Sequence, residues 1–462
     1  MREERTDMEY NELREIHRNF YYHNYEIAED EHEIQICYDF EIENLSHFNP
    51  TFILQKPDGC TDISGLKLFR EAAFSLGMVE LVSYWKITCP PHVIVECGKL
   101  DETQVRWWKK LYYHGLGEFF YINHVETDMD SFMELKSTGE KITGKADQRT
   151  YHGNLIPVGG GKDSFVSLEV LAGMKEDNHA FVINHVMSAV HSAEAAGYEG
   201  KKLIIAERTL DSRMLDFNRQ GYLNGHTPFS ALAAFAAYLT AIVYGKKYIC
   251  LSNEASANES TIHDSSVNHQ YSKTFEFEED FRDYCRNYLS PDILYFSLLR
   301  PLSELQITGI FSSFRQYHRV FRSCNVGSKT ETWCARCAKC LFVGIMLGAY
   351  LDDEDIIAIF GRDMLNDPEM MELFEQLTGI LDDKPFECVG TREEVNTAVC
   401  MSIRRHLKEG KELPLLYRNY MESRYYDYYR ERPDQLDAWN IQNLVPEEYQ
   451  KLVREKLGEI RK

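Results

Sequence analysis

The sequence predicts an α/β fold, a doubly wound parallel sheet flanked by an N-terminal α+β domain and a mostly helical C-terminal region. Three observations carry this. A glycine cluster joins an apolar tetrapeptide to a helical pattern at Leu155–Leu171, and further short apolar runs alternate with helical patterns up to about residue 300. Beyond residue 350 the chain reads as charged helix. Parallel strands need crossover helices, which cover both faces of their sheet. The expected domains are 1–150, which we expect to contribute to substrate binding, 151–350 and 351–462. With 462 residues and 44% hydrophobic content, the chain is long enough for several packed cores.

In the first domain, EIQICYDFEIEN alternates as a strand, with Ile34, Ile36, Tyr38 and Phe40 on one face. LKLFREAAFSLGMVELVSYW has helical spacing, and His92–Val95 is a short strand. Asp101 and Gln104 form a capping-box pattern before a helix that carries Trp107 and Trp108 and stops near Gly115. Adjacent tryptophans at this spacing belong to a core or interface more often than to a ligand platform. The polar stretch 126–150 reads as the linker.

Strands are next expected at Leu155–Val158, Phe181–Ile183, Leu203–Ile205, Ile249–Leu251 and Ile293–Phe296. The clearest helix between them is TPFSALAAFAAYLTAIVYG, with Thr227 as N-cap and Pro228 at the first helical position. Ligands of such sheets bind at the carboxyl ends of the strands. There lie Gly159, Gly160, Gly161, Lys162, Asp163 and Ser164 after the first strand, and Asn253, Glu254, Asn258 and Glu259 after the fourth.

The glycine loop has the chemistry of an anion site. Its glycines let backbone N–H groups approach a phosphate, and the following helix adds its positive end. Ser164 can donate a hydroxyl proton, Asp163 can cap the helix or hold Mg²⁺, and Lys162 can reach a phosphate. The spacing is not that of G-x-x-x-x-G-K-[ST]. It resembles the S-G-G-x-D-S pyrophosphate loop (PP-loop) of the ATP-pyrophosphatases, with Gly160, Gly161, Asp163 and Ser164 in register and Gly159 in place of the first serine. That resemblance implies a sheet of adenine nucleotide alpha hydrolase-like type and ATP as ligand.

Cys324-x9-Cys334-x2-Cys337-x2-Cys340 is the second motif. Two C-x-x-C steps chelate and the distant thiol closes a tetrahedral shell, so structural Zn²⁺ is expected. An iron–sulfur cluster is the alternative, although the Cys-Pro ending of ferredoxin patterns is missing. Twelve cysteines with no apolar leader read as reduced thiols and metal ligands of a cytoplasmic protein. A net charge of −22 disfavours nucleic acid or an acidic membrane surface as partner. No apolar run reaches spanning length.

Across residues 80–395, SYWKITCPP, GLGEFFYIN, PVGGGKDS, NGHTPFSA, SNEASANE, VNHQYSKTFEFE, FRSCN with WCARCAKC, and KPFECVGT follow in order. Together they resemble the ATP-dependent UDP-N-acetylmuramoyl-L-alanyl-L-glutamate epimerases (MurL). The resemblance implies a cytoplasmic isomerase of peptidoglycan (cell wall) precursor synthesis, with a UDP-muramoyl dipeptide as small-molecule substrate. It implies ATP and Mg²⁺, and inversion of the terminal L-Glu with release of AMP and pyrophosphate. His226, His269, Lys273 and Cys388 are the reactive side chains inside these motifs and the candidate proton carriers. The thiol pattern is also similar to that of 7-cyano-7-deazaguanine synthases, which makes an ATP-dependent synthase or tRNA-modifying enzyme the second reading. A non-catalytic nucleotide sensor is the third.

Overall fold

A computed structural model describes residues 9–60, 62–255, 271–324, 326–327, 330–385, 387 and 389–460. Its strands are β1 (Asn19–Glu29), β2 (Glu33–Ile42), β3 (Ser46–Phe48), β4 (Thr51–Gln55), β5 (His92–Val95), β6 (Glu134–Ser137), β7 (Asn154–Pro157), β8 (Asn178–Ile183), β9 (Leu203–Arg208), β10 (Tyr248–Leu251) and β11 (Leu294–Ser297). Hydrogen bonding joins β9, β4, β2, β1, β5 and β6 in that order, with β3 on β2, and pairs β10 with β7. The chain divides into two compact units. The first comprises Met1–Leu155, Ile204–Ile249 and Gln270–Tyr295, and the second Ile156–Leu203, Cys250–His269 and Phe296–Lys462.

In the first unit β2 shows the expected alternation, burying Ile34, Ile36, Tyr38 and Phe40. It pairs antiparallel with β1, β3 and β4, while β5 pairs parallel with β1 and with β6. An antiparallel pairing of β4 with β9 joins Phe52 to Arg208 and Leu54 to Ala206. The sheet is therefore mixed. Parallel pairing is seen between β7 and β10, where Asn154 faces Tyr248.

Helix Lys67–Trp85 is buried from Ala72 to Trp85 and lies against helix Phe229–Tyr244. Both are apolar nearly all round, as helices enclosed by other elements are. Helix Phe229–Tyr244 ends on Gly245 in the left-handed conformation, φ 63°, whose N–H bonds the Ala241 carbonyl. Its N-cap is Pro228, one residue later than expected, and the Thr227 side chain makes no cap.

Helix Glu102–Gly115 has the predicted capping box from Asp101 and Gln104. Gly115 is its last residue, but the reason is close approach: a Cβ there would meet Pro228 Cβ at 2.7 Å. Trp108 is fully buried, and Trp107 Nε1 donates to the Asp280 carbonyl at 2.9 Å beside Tyr284. The pair is core.

The second unit is mostly helical after residue 300. Helix Lys162–Val170 packs on Glu304–Ser312, and the C-terminal helix Glu447–Glu459 touches both. Helix Ala338–Gly348, buried over all but one position, packs on Arg392–Glu409. Among the described residues no helix is long and apolar enough to cross a membrane.

Candidate functional site

The loop between β7 and helix Lys162–Val170 is shaped by one obligatory glycine. Gly160 adopts φ 86°, and a Cβ there would lie 2.9 Å from the Ser188 carbonyl carbon. Its own carbonyl accepts from Arg322 N–H at 2.8 Å, which fixes the loop against the segment leading to Cys324. Gly161 is the helix N-cap, with no side chain to occupy the amide donors. Around Gly159 a Cβ would meet nothing within 4 Å. Gly159 N–H donates to Ser164 Oγ at 3.0 Å, and a hydroxyl that accepts still has its proton to donate.

Beside the loop stands a cluster of charge. Lys162 is buried, and its Nζ bonds Asp163 Oδ1 at 2.5 Å and Glu304 Oε2. Carboxylate oxygens of Asp163, Glu254 and Glu304 come within 4.8 Å of one another. Burial acts to lower the Lys162 pKa, but Asp163 and Glu304 outweigh it and raise it, so the ammonium is held charged. Burial acts to raise the Glu304 pKa, the Lys162 ammonium opposes it and keeps the carboxylate paired, and the Asp163 and Glu254 charges add to the upward push. Three carboxylates against one ammonium leave the pocket short of positive charge. A divalent cation would supply it, and one or two carboxylates plus phosphate oxygens are the usual Mg²⁺ environment.

Glu304 was not among the residues singled out from sequence. It opens the helix after β11, held by a capping box of Ser303 and Gln306, and its N–H donates to Glu394 Oε1 at 2.7 Å. Glu394 in turn takes the Thr391 N–H and hydroxyl at 2.8 and 2.9 Å, which places the VGT turn of KPFECVGT directly behind the cluster. The signal was present: Ser303-x-x-Gln306 marks a helix start just past a predicted strand, on the same rim as the glycine loop. Across the rim, Asn253 Nδ2 donates to Ser297 Oγ at 3.2 Å, and Arg300, fully buried, donates to the Glu254 carbonyl at 2.6 Å.

Of the other expected residues, His226 lies in the first unit just before helix Phe229–Tyr244, and Lys273 ends the turn Tyr271–Lys273 of the same unit. Asn258, Glu259, His269 and Cys388 lie outside the described residues. A buried amine that sequence reading passed over is Lys86 of SYWKITCPP. Its Nζ donates to the Gly225 carbonyl at 2.6 Å, next to His226. Burial lowers its pKa to about 8, with Arg208 contributing.

Cys324, Cys334, Cys337 and Cys340 converge, all four sulfurs within 4.8 Å. Cys340 Sγ is 3.7 Å from Cys334 Sγ and 3.5 Å from Cys337 Sγ. Zn–S bonds of about 2.3 Å in a tetrahedron set sulfurs ~3.8 Å apart. Polynuclear clusters hold their thiolates much further apart, so the spacing fits one ion. Gly327 and Cys334 N–H groups donate to Cys324 Sγ at 3.2 and 3.4 Å, as they would to a thiolate.

These features belong to a mixed α/β protein with a helical C-terminal region. Comparison with known proteins narrows the class. The MurL N-terminal domain model matches residues 11–298, and the MurL C-terminal domain model matches residues 319–423. The chain belongs to the MurL family. It is 32% identical over 340 residues to the UDP-N-acetyl-alpha-D-muramoyl-L-alanyl-L-glutamate epimerase of Xanthomonas oryzae pv. oryzae, covering 72% of this chain and 74% of that one. Relatives of the same name in Micromonospora sp. and Salinispora tropica are 32% and 34% identical over 349 residues. Each match covers 74% of this chain, with 76% and 74% of the relatives. No solved structure matches.

Proposed function

We propose that this chain inverts the terminal L-Glu of UDP-N-acetylmuramoyl-L-Ala-L-Glu to D-Glu at the expense of ATP, through an acyl adenylate, releasing AMP and pyrophosphate. The observation that carries the reading is identity of 32–34% to epimerases of that dipeptide over nearly three-quarters of both chains.

The chemistry explains why ATP is needed. The α-hydrogen of a free carboxylate is barely acidic, because the carbanion would form beside a negative charge. Attack of the carboxylate on the α-phosphorus of ATP expels pyrophosphate and gives a mixed anhydride with AMP. That removes the charge and makes the acyl group electron-poor, so a base of ordinary strength can take the proton. Return of a proton to the opposite face and hydrolysis of the adenylate give the inverted product.

In this reading the glycine loop is of PP-loop type and holds the departing pyrophosphate. Backbone N–H groups of Gly160 and Gly161, the Ser164 hydroxyl and the Lys162 ammonium stabilise the charge that grows there. Asp163, Glu254 and Glu304 are the residues that would hold Mg²⁺, which supplies countercharge to the phosphates when bound. Cys324, Cys334, Cys337 and Cys340 hold a structural Zn²⁺. His226, His269, Lys273 and Cys388 are the candidate proton carriers, and Lys86 holds the backbone just before His226 through the Gly225 carbonyl. The reaction belongs in the cytoplasm, with ATP and a soluble nucleotide-linked substrate.

The test is incubation with that dipeptide nucleotide, ATP and Mg²⁺, followed by hydrolysis and chiral analysis of glutamate. D-Glu should accumulate only with ATP. Amide or nitrile formation with ammonia consumption would point instead to the synthase chemistry.

A further inference from the structure

We propose that His23, Glu41 and His47 form a separate site for a first-row transition-metal dication such as Zn²⁺, on the face of the β1–β2–β3 ribbon opposite its buried aromatic residues. Register brings the three together. Glu41 is the cross-strand partner of His47 in the β2–β3 ladder. On the other side of β2 the ladder with β1 slips between Tyr22 and Asn24, leaving His23 as the extra residue of a β-bulge. Bulges bend the strand and re-aim the side chain they carry. Here the His23 ring turns to Glu41, with Nε2 at 2.8 Å from Oε2. His47 Nε2 lies 3.6 Å from the same oxygen, and the two imidazoles are nearly parallel with centroids 5.7 Å apart.

The outer contacts have the form that metal-binding histidines show. His23 Nδ1 is 2.7 Å from Glu96 Oε2, and His47 Nδ1 is 3.3 Å from Asp39 Oδ1. A carboxylate at each Nδ1 keeps a proton there, and a metal that displaces the proton His23 Nε2 shares with Glu41 would meet both Nε2 atoms at the position Glu41 faces. Metal–nitrogen and metal–oxygen bonds of about 2.0–2.2 Å need donors ~3.3 Å apart, and the present spacing brackets that value. Three carboxylates around two imidazoles are short of positive charge, and a dication supplies it. Imidazole with carboxylate selects Zn²⁺, Ni²⁺ or Cu²⁺ over Mg²⁺ or Ca²⁺. His47, with a side chain 54% exposed, leaves a fourth position open to water or a small anion.

The test uses the full-length protein as purified, titrated with Zn²⁺ by calorimetry beside the double variant His23→Asn/His47→Asn and the single variant Glu96→Gln. His47 is exposed and His23 half-buried, and thermal melts monitor the folding of each variant. Wild type should bind one more Zn²⁺ per chain than the double variant, whatever the state of the four-thiol site, since that site is common to both. Glu96→Gln should weaken this ion by roughly 10- to 100-fold, as loss of an outer partner does. Cu²⁺ bound to wild type should show hyperfine coupling to two nitrogens. Equal uptake with equal affinity in wild type and double variant would overturn the site and leave a set of histidine–carboxylate ion pairs.

Discussion

Gly159 and Gly160 are neighbours with opposite requirements. Gly160 sits at φ 86° with the Ser188 backbone 2.9 Å from where a Cβ would be, whereas Gly159 has ordinary φ and open space. Gly160→Ala should therefore be destabilising by about 1–3 kcal/mol, while Gly159→Ser, which restores the serine of the pyrophosphate-loop pattern, should change stability by no more than about 0.5 kcal/mol. Urea unfolding of the two variants checks this. Next to them, Lys162 and Glu304 form a buried pair whose members depend on each other. Lys162→Met should cost about 3–5 kcal/mol by stranding a buried carboxylate, and adding Glu304→Leu should recover much of it. A double-mutant cycle in which the two losses simply add would show that the pair is not coupled. The lysine was legible from its place after the glycines. Its partner was not, because 142 residues separate them and nothing local in either segment marks the pairing.

At the scale of elements, local pattern specified the strands well where one face is buried. The alternation of Ile34, Ile36, Tyr38 and Phe40 is the buried face of β2, and the runs at 181, 203, 249 and 293 are β8 to β11. What the pattern could not carry was pairing. Antiparallel β4–β9 contact and the bulge at His23 are tertiary choices, made by which strand edges meet rather than by the composition of either strand. Helix Lys67–Trp85 ends in a testable element, Lys86 at its C-cap. Its pKa falls from 10.5 to about 8 on folding, so the fold disfavours its charged form. Stability should rise between pH 8 and pH 10.5 as the penalty is relieved, and Lys86→Met should lose that increment relative to wild type. The four-thiol knot leads directly into helix Ala338–Gly348, whose N-cap is Cys337. Strong chelation, or Cys337→Ser, should lower the unfolding midpoint and release one Zn²⁺ per chain, followed by metal analysis. Iron with sulfide, or no metal, would contradict the assignment.

For the whole molecule, family membership and the glycine-loop site bear on one proposed reaction. Sequence similarity names the substrate of the relatives, and in the proposed reading the glycine loop with its lysine and carboxylates is where a nucleoside triphosphate would be consumed. The central claim is that the carboxylate is activated before the α-proton leaves. Incubating the protein in D₂O with the UDP-muramoyl-L-Ala-L-Glu substrate, with and without ATP, tests it most directly. D-Glu carrying deuterium at its α-carbon should form together with AMP and pyrophosphate, with neither inversion nor exchange when ATP is left out. Deuterium entering the α-carbon without any nucleotide, or ADP appearing in place of AMP, would contradict it.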